Sequence, residues 1–399
     1  MRDSRAAGMA GFLLGSAGMF ATLYSTQAIL PELGRSFDVG PARAGLTVSA
    51  VVVAIALGVW VWGPLSDRIG RRKSLLLASA ALVPPTIAAG LAPTFEVLLA
   101  CRAIQGLCMP GLLVVGVPYV MEAFGPWLGG RAMGVYVSSL VTGGLIGRVG
   151  VALVTSAAGW RWAVGGVAVF PAAACLVMRR WLPDVGAPAR SGLRGGGLRA
   201  QLMNRQLLRI AAAGGAIFFN FVGVFSYVTY RLERPPFGFG TGSAALIFLL
   251  WLLGVIGPWA GKLVDRIGWR NAALAAVACA MSGVLLSIPA WLPTFALGLA
   301  LLTVAMFSGA TALQLGVTMA ADVDRGAASA VYFSIYYAFA ALGAYVPGLA
   351  WQAWRWNGIV AIGLATTTLA ALALLRRRGT ASSRRAGAAR FATVLPFWR

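Results

Sequence analysis

The 399-residue sequence contains no histidine, the side chain that most often serves as general base, transition-metal ligand or pH switch. Cysteine is scarce too, and Cys101, Cys108, Cys175 and Cys279 lie inside apolar runs without the spacing of a metal site or redox pair. We expect these four residues to be small apolar filler. No nucleophile stands beside a base, so we predict no enzyme activity, no cofactor and no metal site.

Charge is also scarce, at 11% of residues against about 25% in soluble proteins. The chain is 59% hydrophobic, and its mean hydropathy is +0.80. Runs of about 20 apolar residues recur, each long enough to cross a ~30 Å hydrocarbon core as a helix. Helices are expected because lipid cannot satisfy exposed backbone groups. The fold class predicted is an all-α membrane protein.

Twelve membrane spans are predicted, with one sizeable connector after the sixth. The spans cover residues 8–30, 43–65, 74–92, 95–121, 131–158, 161–182, 207–232, 243–265, 272–291, 293–317, 326–352 and 356–375. The connector at 183–206 is rich in proline, glycine and arginine, with a short surface helix expected at 198–205. It separates an N-terminal half (1–182) from a C-terminal half (207–375), which a basic tail at 376–399 follows.

The net charge of +22 is spread over particular loops rather than one patch, which argues against nucleic acid as a partner. With the N-terminus inside, cytoplasmic segments hold 25 of the 33 Lys and Arg residues. We therefore predict that both termini are cytoplasmic; the location expected is the inner (plasma) membrane, and we expect a monomer. The basic tail is expected to lie against anionic lipid headgroups.

A dense charged loop lies between spans 2 and 3 and recurs between spans 8 and 9, at an offset of 198 residues. Residues 63–73 read G-P-L-S-D-R-I-G-R-R-K, and residues 261–270 read G-K-L-V-D-R-I-G-W-R. The positions of interest are Gly63, Asp67, Arg68, Gly70, Arg71 and Arg72 in this first charged loop, and Gly261, Asp265, Arg266, Gly268 and Arg270 in the second. Trp160-Arg161-Trp162 and Trp354-Arg355-Trp356 add a further echo at 194 residues, which indicates a duplicated six-helix unit.

These charged loops resemble the loops after spans 2 and 8 of the major facilitator superfamily. Residues 102–106, R-A-I-Q-G, resemble the R-x-x-Q-G signature of its fourth span. Span 5 departs from the G-P-x-x-G-G pattern of the drug exporters, because Arg148 stands where the proline is expected. This stretch and residues 24–31 look most like the YnfM-like branch, near the twelve-span proton-coupled exporters. The resemblance implies two pseudo-symmetric six-helix bundles that rock about a shared site.

The resemblance also implies that the first charged loop is a conformational latch and not a substrate site. We expect its arginines to pair with Glu122 at the cytoplasmic end of span 4, and Asp67 to face the N-terminal end of a neighbouring helix. The second charged loop has Trp269 in place of an arginine, so fewer ionic contacts are expected there.

The eleven carboxylates all fall at span ends or in loops, whereas Arg102 and Arg148 lie inside neighbouring spans at similar depth. We infer an electropositive cavity, which attracts anions. Two alternatives stay open: Arg102 reaches towards the external surface, or Arg148 binds backbone carbonyls beside its glycines.

Polar residues that share a face of the interface spans complete the predicted substrate site. The candidates are Tyr24, Gln27, Arg102, Gln105, Arg148, Asn220, Tyr227, Thr311, Gln314, Tyr332 and Tyr336. Such residues would hold a small amphipathic molecule, although each is as well suited to an ordinary interhelical hydrogen bond.

The function expected is secondary active transport. Proton-coupled efflux of small organic compounds follows from the resemblance, with Glu32, Asp67 or Glu122 as the acid that titrates. The alternative, favoured by the missing intramembrane acid, is an organic-anion transporter that uses Arg102 and Arg148 for exchange or symport.

Overall fold

The computed structural model describes residues 2–125, 130–185, 195–320 and 325–375. Helices dominate these ranges, and no strand occurs within them. Ten helices there are long and apolar enough to cross a membrane. The last of them, Ala327–Leu375, comprises two of the predicted spans, and the apolar helix Thr241–Gly254 provides part of span 8. The predicted all-α membrane fold with two six-helix bundles is confirmed.

Spans 1 to 6 form the N-terminal bundle. Its helices are Arg2–Tyr24, Leu30–Phe37, Pro41–Ile69, Arg71–Gly90, Phe95–Cys108, Pro110–Leu113, Gly116–Ala123, Gly130–Leu145, Val151–Ala158, Trp160–Gly166 and Val169–Trp181. Span 1 is not continuous, because a 3₁₀ turn at Gln27–Ile29 separates its first two helices. Pro31 stands in the first turn of the second helix, where a missing backbone N–H leaves no helical hydrogen bond unmade. Span 1 therefore runs past its predicted end to Phe37.

Spans 7 to 12 form the C-terminal bundle. After the short helix Gly195–Leu202, its helices are Arg205–Leu232, Thr241–Ala245, Gly257–Ile267, Trp269–Leu286, Leu292–Ala320 and Arg325–Leu375. Span 8 contains a 3₁₀ stretch at Leu246–Ile256, which its hydropathy does not predict. The helix Arg325–Leu375 is broken at Trp354 and Arg355, where the backbone leaves the helical region. This break separates span 11 from span 12 at the predicted place. The basic tail lies outside the described residues, as do residues 186–194 of the connector.

The two charged loops adopt the same backbone conformation. Gly70 ends span 2 with a φ of 88°, and Gly268 ends span 8 with a φ of 79°. Each glycine donates its N–H to a carbonyl four residues earlier, that of Ser66 at 3.0 Å and that of Val264 at 2.9 Å. A side chain at either position would be strained at such a φ, which explains why glycine recurs at this point of the repeat.

Spans 1 and 5 pack with their backbones almost in contact. A β-carbon added at Gly143 would strike the backbone of Ala17, and one added at Gly147 would strike that of Ala21. Small residues at such a spacing let membrane helices approach closely. This approach brings the middle of span 5 against the break in span 1.

The two bundles meet at the end of the molecule that is opposite to the charged loops. The Tyr230 hydroxyl donates to the Leu30 carbonyl at 3.0 Å, and Arg35 forms an ion pair with Glu233 at 2.8 Å. Both contacts join span 1 to span 7. We call this the closed end.

A cavity of about 460 Å³ lies between the bundles at the other end. Spans 2, 4 and 11 line it, and its walls are apolar, with Trp60, Pro64, Val117, Phe333 and Tyr337 among them. The first charged loop begins at its rim, since Gly63 also lines it. We call this the open end.

Candidate functional site

Span 5 changes from α-helix to a π-helical turn at Ile146–Gly150, within the glycine-rich stretch noted in the sequence. A π turn inserts an extra residue, so it changes the direction in which the following side chains project. Such turns occur frequently at functional sites. Here the turn contains Arg148 and lies where span 5 is pressed against span 1.

Arg148 is fully buried, with 0% of its surface exposed. Its Nε donates to Gln27 Oε1 at 2.8 Å, and its Nη1 donates to the Gly144 carbonyl at 3.0 Å. The guanidinium carbon lies 3.5 Å from the ring centre of Tyr24 and 4.0 Å from that of Trp251, in cation–π contact with both. Nη2 has no hydrogen-bond partner in the described part of the chain.

The surroundings of Arg148 come from both bundles. Trp251 belongs to span 8, and Gln27 donates from Nε2 to Ser226 Oγ of span 7 at 3.2 Å. The aromatic side chains packed around Trp251 are Tyr24, Phe221 and Phe307. The indole Nε1 of Trp251 also lacks a partner among the described residues. Arg148 thus lies between the bundles, and its own Nη2 and the neighbouring Trp251 Nε1 are two buried donors without a partner in the described chain.

No buried carboxylate in the described chain balances the charge of Arg148. Glu32 and Glu233 are partly exposed, and the other six carboxylates whose side chains are described are exposed. The described ion pairs, including Arg43 with Glu96 and those of the closed end and first charged loop, all lie near span ends. A charge inside a membrane normally has a partner or marks a functional site.

Arg102 is equally buried but has a different environment. Its Nη1 donates to the Thr22 carbonyl at 2.7 Å, its Nη2 to the Leu23 carbonyl at 2.6 Å and its Nε to the Thr47 carbonyl at 3.0 Å. These partners belong to spans 1 and 2. The structure therefore places Arg102 inside the N-terminal bundle and not in a cavity shared with Arg148, because the break in span 1 offers carbonyls as partners.

Gln105 belongs to the same network. Its Oε1 accepts from Arg102 Nη1 at 2.7 Å, and its Nε2 donates to Thr86 Oγ1 at 3.2 Å and to the Pro85 carbonyl at 3.3 Å. Arg102 and Gln105 share a helix face, as predicted from their spacing. That face is turned towards spans 1 and 3 of the N-terminal bundle and not towards the cavity.

The two candidates on span 7 lie apart from Arg148. Tyr227 donates to the Ala344 carbonyl at 2.6 Å and so belongs to the closed end. Asn220 faces Gly363 of span 12, and both polar atoms of its side chain lack a partner among the described residues. Span 7 meets different neighbours along its length, so a shared helix face does not give these residues a shared site.

The candidates on spans 10 and 11 also separate. Thr311 donates to a carbonyl of its own helix at 3.0 Å, and Gln314 is exposed. Tyr332 and Tyr336 stack with ring centres 5.6 Å apart, and Tyr336 stacks on Phe218 at 4.2 Å. The Tyr332 hydroxyl has no partner within the described ranges.

Sequence reasoning missed the contribution of span 8. Phe248 and Trp251 both contact the Arg148 guanidinium through their rings. They are three residues apart, the spacing of a shared helix face, in a run that otherwise reads as lipid-facing leucine. Aromatic residues at that spacing, aligned with an arginine of span 5, are the signal that could have identified them.

The sequence also matches a known family over most of its length. A family model described as Major Facilitator Superfamily matches residues 12–323. The chain belongs to the major facilitator superfamily.

Relatives within the superfamily are transporters. The chain is 28% identical over 354 residues to the uncharacterized MFS-type transporter YybF of Bacillus subtilis (strain 168), covering 88% of each chain. It is 29% identical over 372 residues to the inner membrane transport protein YnfM of Escherichia coli (strain K12), covering 91% of this chain and 89% of that one. The chain is therefore a multi-pass membrane transporter and not an enzyme, and its resemblance to the YnfM-like branch is confirmed.

Solved structures of the superfamily share the fold. The nucleoside transporter NupG superposes with a TM-score of 0.78 at 13% identity, covering 93% of this chain and 100% of that one. The human organic anion transporter MFSD10 (TETRAN) gives a TM-score of 0.64 at 19% identity, covering 94% and 98%.

The first charged loop of this superfamily member makes two of its contacts inside the N-terminal bundle. Arg71 forms an ion pair with Glu122, and Arg72 donates to the Arg179 carbonyl at the end of span 6, at 3.0 Å. Asp67 is exposed and has no hydrogen bond or ion pair with a described residue. Of the three arginines expected to pair with Glu122, Arg71 does so, and Arg72 instead caps span 6.

The second charged loop repeats one contact and replaces the other. Arg270 donates to the Leu374 carbonyl at the end of span 12, at 2.7 Å, as Arg72 does at span 6. Trp269 packs against Gly316 of span 10, in the place that the Arg71 ion pair has in the first copy. Arg68 and Arg266 are exposed, without a partner in the described chain.

Proposed function

We propose that this transporter moves a small organic anion by alternating access and that Arg148 holds the anionic group. The observation that carries the proposal is a fully buried guanidinium between the two bundles whose Nη2 has no partner among the described residues. A carboxylate or phosphate would supply the missing partner. A charged hydrogen bond of this kind contributes about 1.5–3 kcal/mol, roughly 10- to 150-fold in affinity.

The surroundings of Arg148 favour an anion with a planar or apolar body. The rings of Tyr24 and Trp251 flank the guanidinium. The cavity of about 460 Å³ at the open end is not lined by Arg148, but its mainly apolar walls would suit the body of such an anion on its way to the site. An aromatic or short aliphatic carboxylate meets these requirements.

Alternating access requires contacts that break as the bundles tilt. The Lys and Arg distribution favours a cytoplasmic position of the charged loops, so in this proposal the open end is cytoplasmic and the closed end is external. Opening the external side would break the Arg35–Glu233 ion pair and the Tyr230 hydrogen bond. The charged loops would then act as the cytoplasmic latch, with the exposed Asp67 engaged in the opposite conformer.

Efflux and proton coupling remain predictions from the family resemblance. The acids expected to titrate, Glu32, Asp67 and Glu122, lie near span ends and are at least partly exposed. The likeness to an organic anion transporter at 19% identity concerns the fold alone, so the proposal depends on Arg148 and not on that likeness.

A thermal-shift screen of the purified protein tests the proposal. Matched pairs of aromatic carboxylates and their carboxamides, together with amines of similar shape, are compared at two pH values. We expect carboxylates to stabilise the protein more than their carboxamides do. Arg148→Gln should abolish this difference, whereas Arg205→Gln, which removes the same charge at an exposed site, should preserve it.

Transport of the best carboxylate is then measured as counterflow in proteoliposomes, with and without a pH gradient. Acceleration of export by an opposing gradient would support proton-coupled efflux, whereas counterflow without gradient dependence would indicate exchange. Preferential stabilisation by amines, or unchanged carboxylate counterflow in Arg148→Gln, would overturn the anion proposal.

A further inference from the structure

Span 1 is interrupted in the middle of the membrane. Its first helix ends at Tyr24, the chain turns at Ser25 and Thr26, and a 3₁₀ turn follows. In a continuous helix the carbonyls of residues 22 and 23 would accept from the N–H groups four residues on. At the break Thr22 accepts instead from Ser25, whose N–H lies at 3.3 Å. Carbonyl groups at such a depth have no water to satisfy them.

Arg102 supplies the donor that the Leu23 carbonyl lacks, and it adds a second partner residue beside Ser25 for the Thr22 carbonyl. Its two terminal nitrogens reach the successive carbonyls of Thr22 and Leu23, at 2.7 and 2.6 Å. A planar guanidinium has the fork geometry needed to bind two neighbouring acceptors at once, which an ammonium group lacks. Its Nε holds the Thr47 carbonyl of span 2, so the side chain ties three spans together. Arg102 thus caps the first half of span 1 from another helix.

The residues at the capped break are those that hold Arg148. Tyr24 follows the second capped carbonyl directly, and its ring centre lies 3.5 Å from the Arg148 guanidinium carbon. Gln27 begins the 3₁₀ turn and accepts from Arg148 Nε at 2.8 Å. The geometry of the break therefore decides where both side chains lie relative to Arg148.

We infer that Arg102 is a positioning residue for the anion site proposed above, on which this inference rests. It holds the broken turn of span 1, keeps Tyr24 and Gln27 against Arg148, and does not touch the substrate. In the described chain, the Arg102 guanidinium donates hydrogen bonds to groups of the N-terminal bundle. To bind an anion through Nη2, Arg102 would have to release the Leu23 carbonyl, to which no other described group donates.

The ratio of carboxylate to carboxamide affinity separates a positioning residue from an anion ligand. In Arg102→Lys and Gln105→Leu we expect affinity for both compounds to fall roughly tenfold, the loss of about one charged hydrogen bond. The ratio should stay near that of the unmodified protein, because Arg148 still recognises the charge. Gln105→Leu removes an anchor of Arg102 without changing the charge, so it serves if Arg102→Lys does not fold.

If Arg102→Lys and Arg102→Gln both lower the carboxylate-to-carboxamide affinity ratio to the value of Arg148→Gln, the inference is overturned. Arg102 would then be an anion ligand. Unchanged affinity in both Arg102→Lys and Gln105→Leu would overturn it as well.

Amide hydrogen exchange provides a readout that needs no substrate. Exchange at residues 22–30 should increase in Arg102→Lys while span 10 stays protected. If the unmodified protein shows no carboxylate preference but exchange at residues 22–30 increases, the anion proposal fails and the capping role of Arg102 is retained. If exchange does not increase, the capping role fails.

Discussion

Arg102 and Arg148 are the same side chain, buried to the same extent in adjacent spans, yet their surroundings differ. Arg102 lies inside one bundle, where backbone carbonyls and a glutamine accept its hydrogen bonds. Arg148 lies between the bundles, where two aromatic rings flank it and one nitrogen is unpaired in the described chain. Contacts inside a bundle can persist while the bundles rock, whereas contacts between bundles must change. A buried charge therefore reveals its role through its partners and not through its depth.

The largest expected difference between the two arginines is in stability. Arg102→Ala strands the Leu23 carbonyl in a water-free interior and removes one hydrogen bond from each of the Thr22 and Thr47 carbonyls, a loss on the order of 3 kcal/mol. Arg148→Ala removes two hydrogen bonds and should cost distinctly less. Thermal unfolding in detergent measures both, using the reaction of the buried or half-buried native cysteines with a thiol dye. Equal losses of stability would contradict the comparison.

Substituting an aromatic residue that contacts Arg148 is expected to have a smaller effect. Trp251→Leu removes a cation–π partner, for which about 1 kcal/mol is typical in a desolvated site. Carboxylate affinity should fall roughly fivefold, measured by the thermal shift as a function of ligand concentration. Trp162→Leu is the matched control, because that side chain is 76% exposed. Equal losses of carboxylate affinity in the two variants would show that Trp251 does not belong to the site.

The smallest expected effect concerns two ion pairs near the external span ends. Arg35–Glu233 joins the bundles, whereas Arg43–Glu96 stays within the N-terminal bundle. Glu233→Gln should weaken the closed end by at most about 1 kcal/mol, because such partly exposed pairs contribute little. This shifts the conformational equilibrium up to about fivefold towards external opening.

Electron paramagnetic resonance distances can detect that shift. Spin labels at Leu91→Cys and Trp291→Cys, both exposed, report the separation of the bundles at this end once the native cysteines are replaced. Glu233→Gln should enrich the longer distance, whereas Glu96→Gln, with the same change of charge, should not. Identical distance distributions in the two variants would show that the Glu233 pair does not hold the closed end.

The fold was predictable because each span must be apolar to cross a membrane. The repeat also located the break at Trp354 between spans 11 and 12. Hydropathy does not report backbone hydrogen bonding, so it predicted neither the interruption after Tyr24 nor the 3₁₀ stretch in span 8.

The site was less predictable for the same reason. Tyr24, Gln27 and Arg148 come together in the structure, but Arg102 does not join them. The Thr22 and Leu23 carbonyls can accept from Arg102 because span 1 is broken beside them. Asn220 and Tyr227 separate because neighbours of span 7 change along its length, which spacing within one helix does not encode.

The most direct test is to locate the ligand itself. A brominated analogue of the carboxylate that stabilises the protein most is crystallised with it, and the anomalous signal of bromine marks its position. The account predicts bromine density between the bundles, beside the Trp251 ring, with the carboxylate about 3 Å from Arg148 Nη2. Density inside the N-terminal bundle next to Arg102, or anywhere outside the bundle interface, would contradict it.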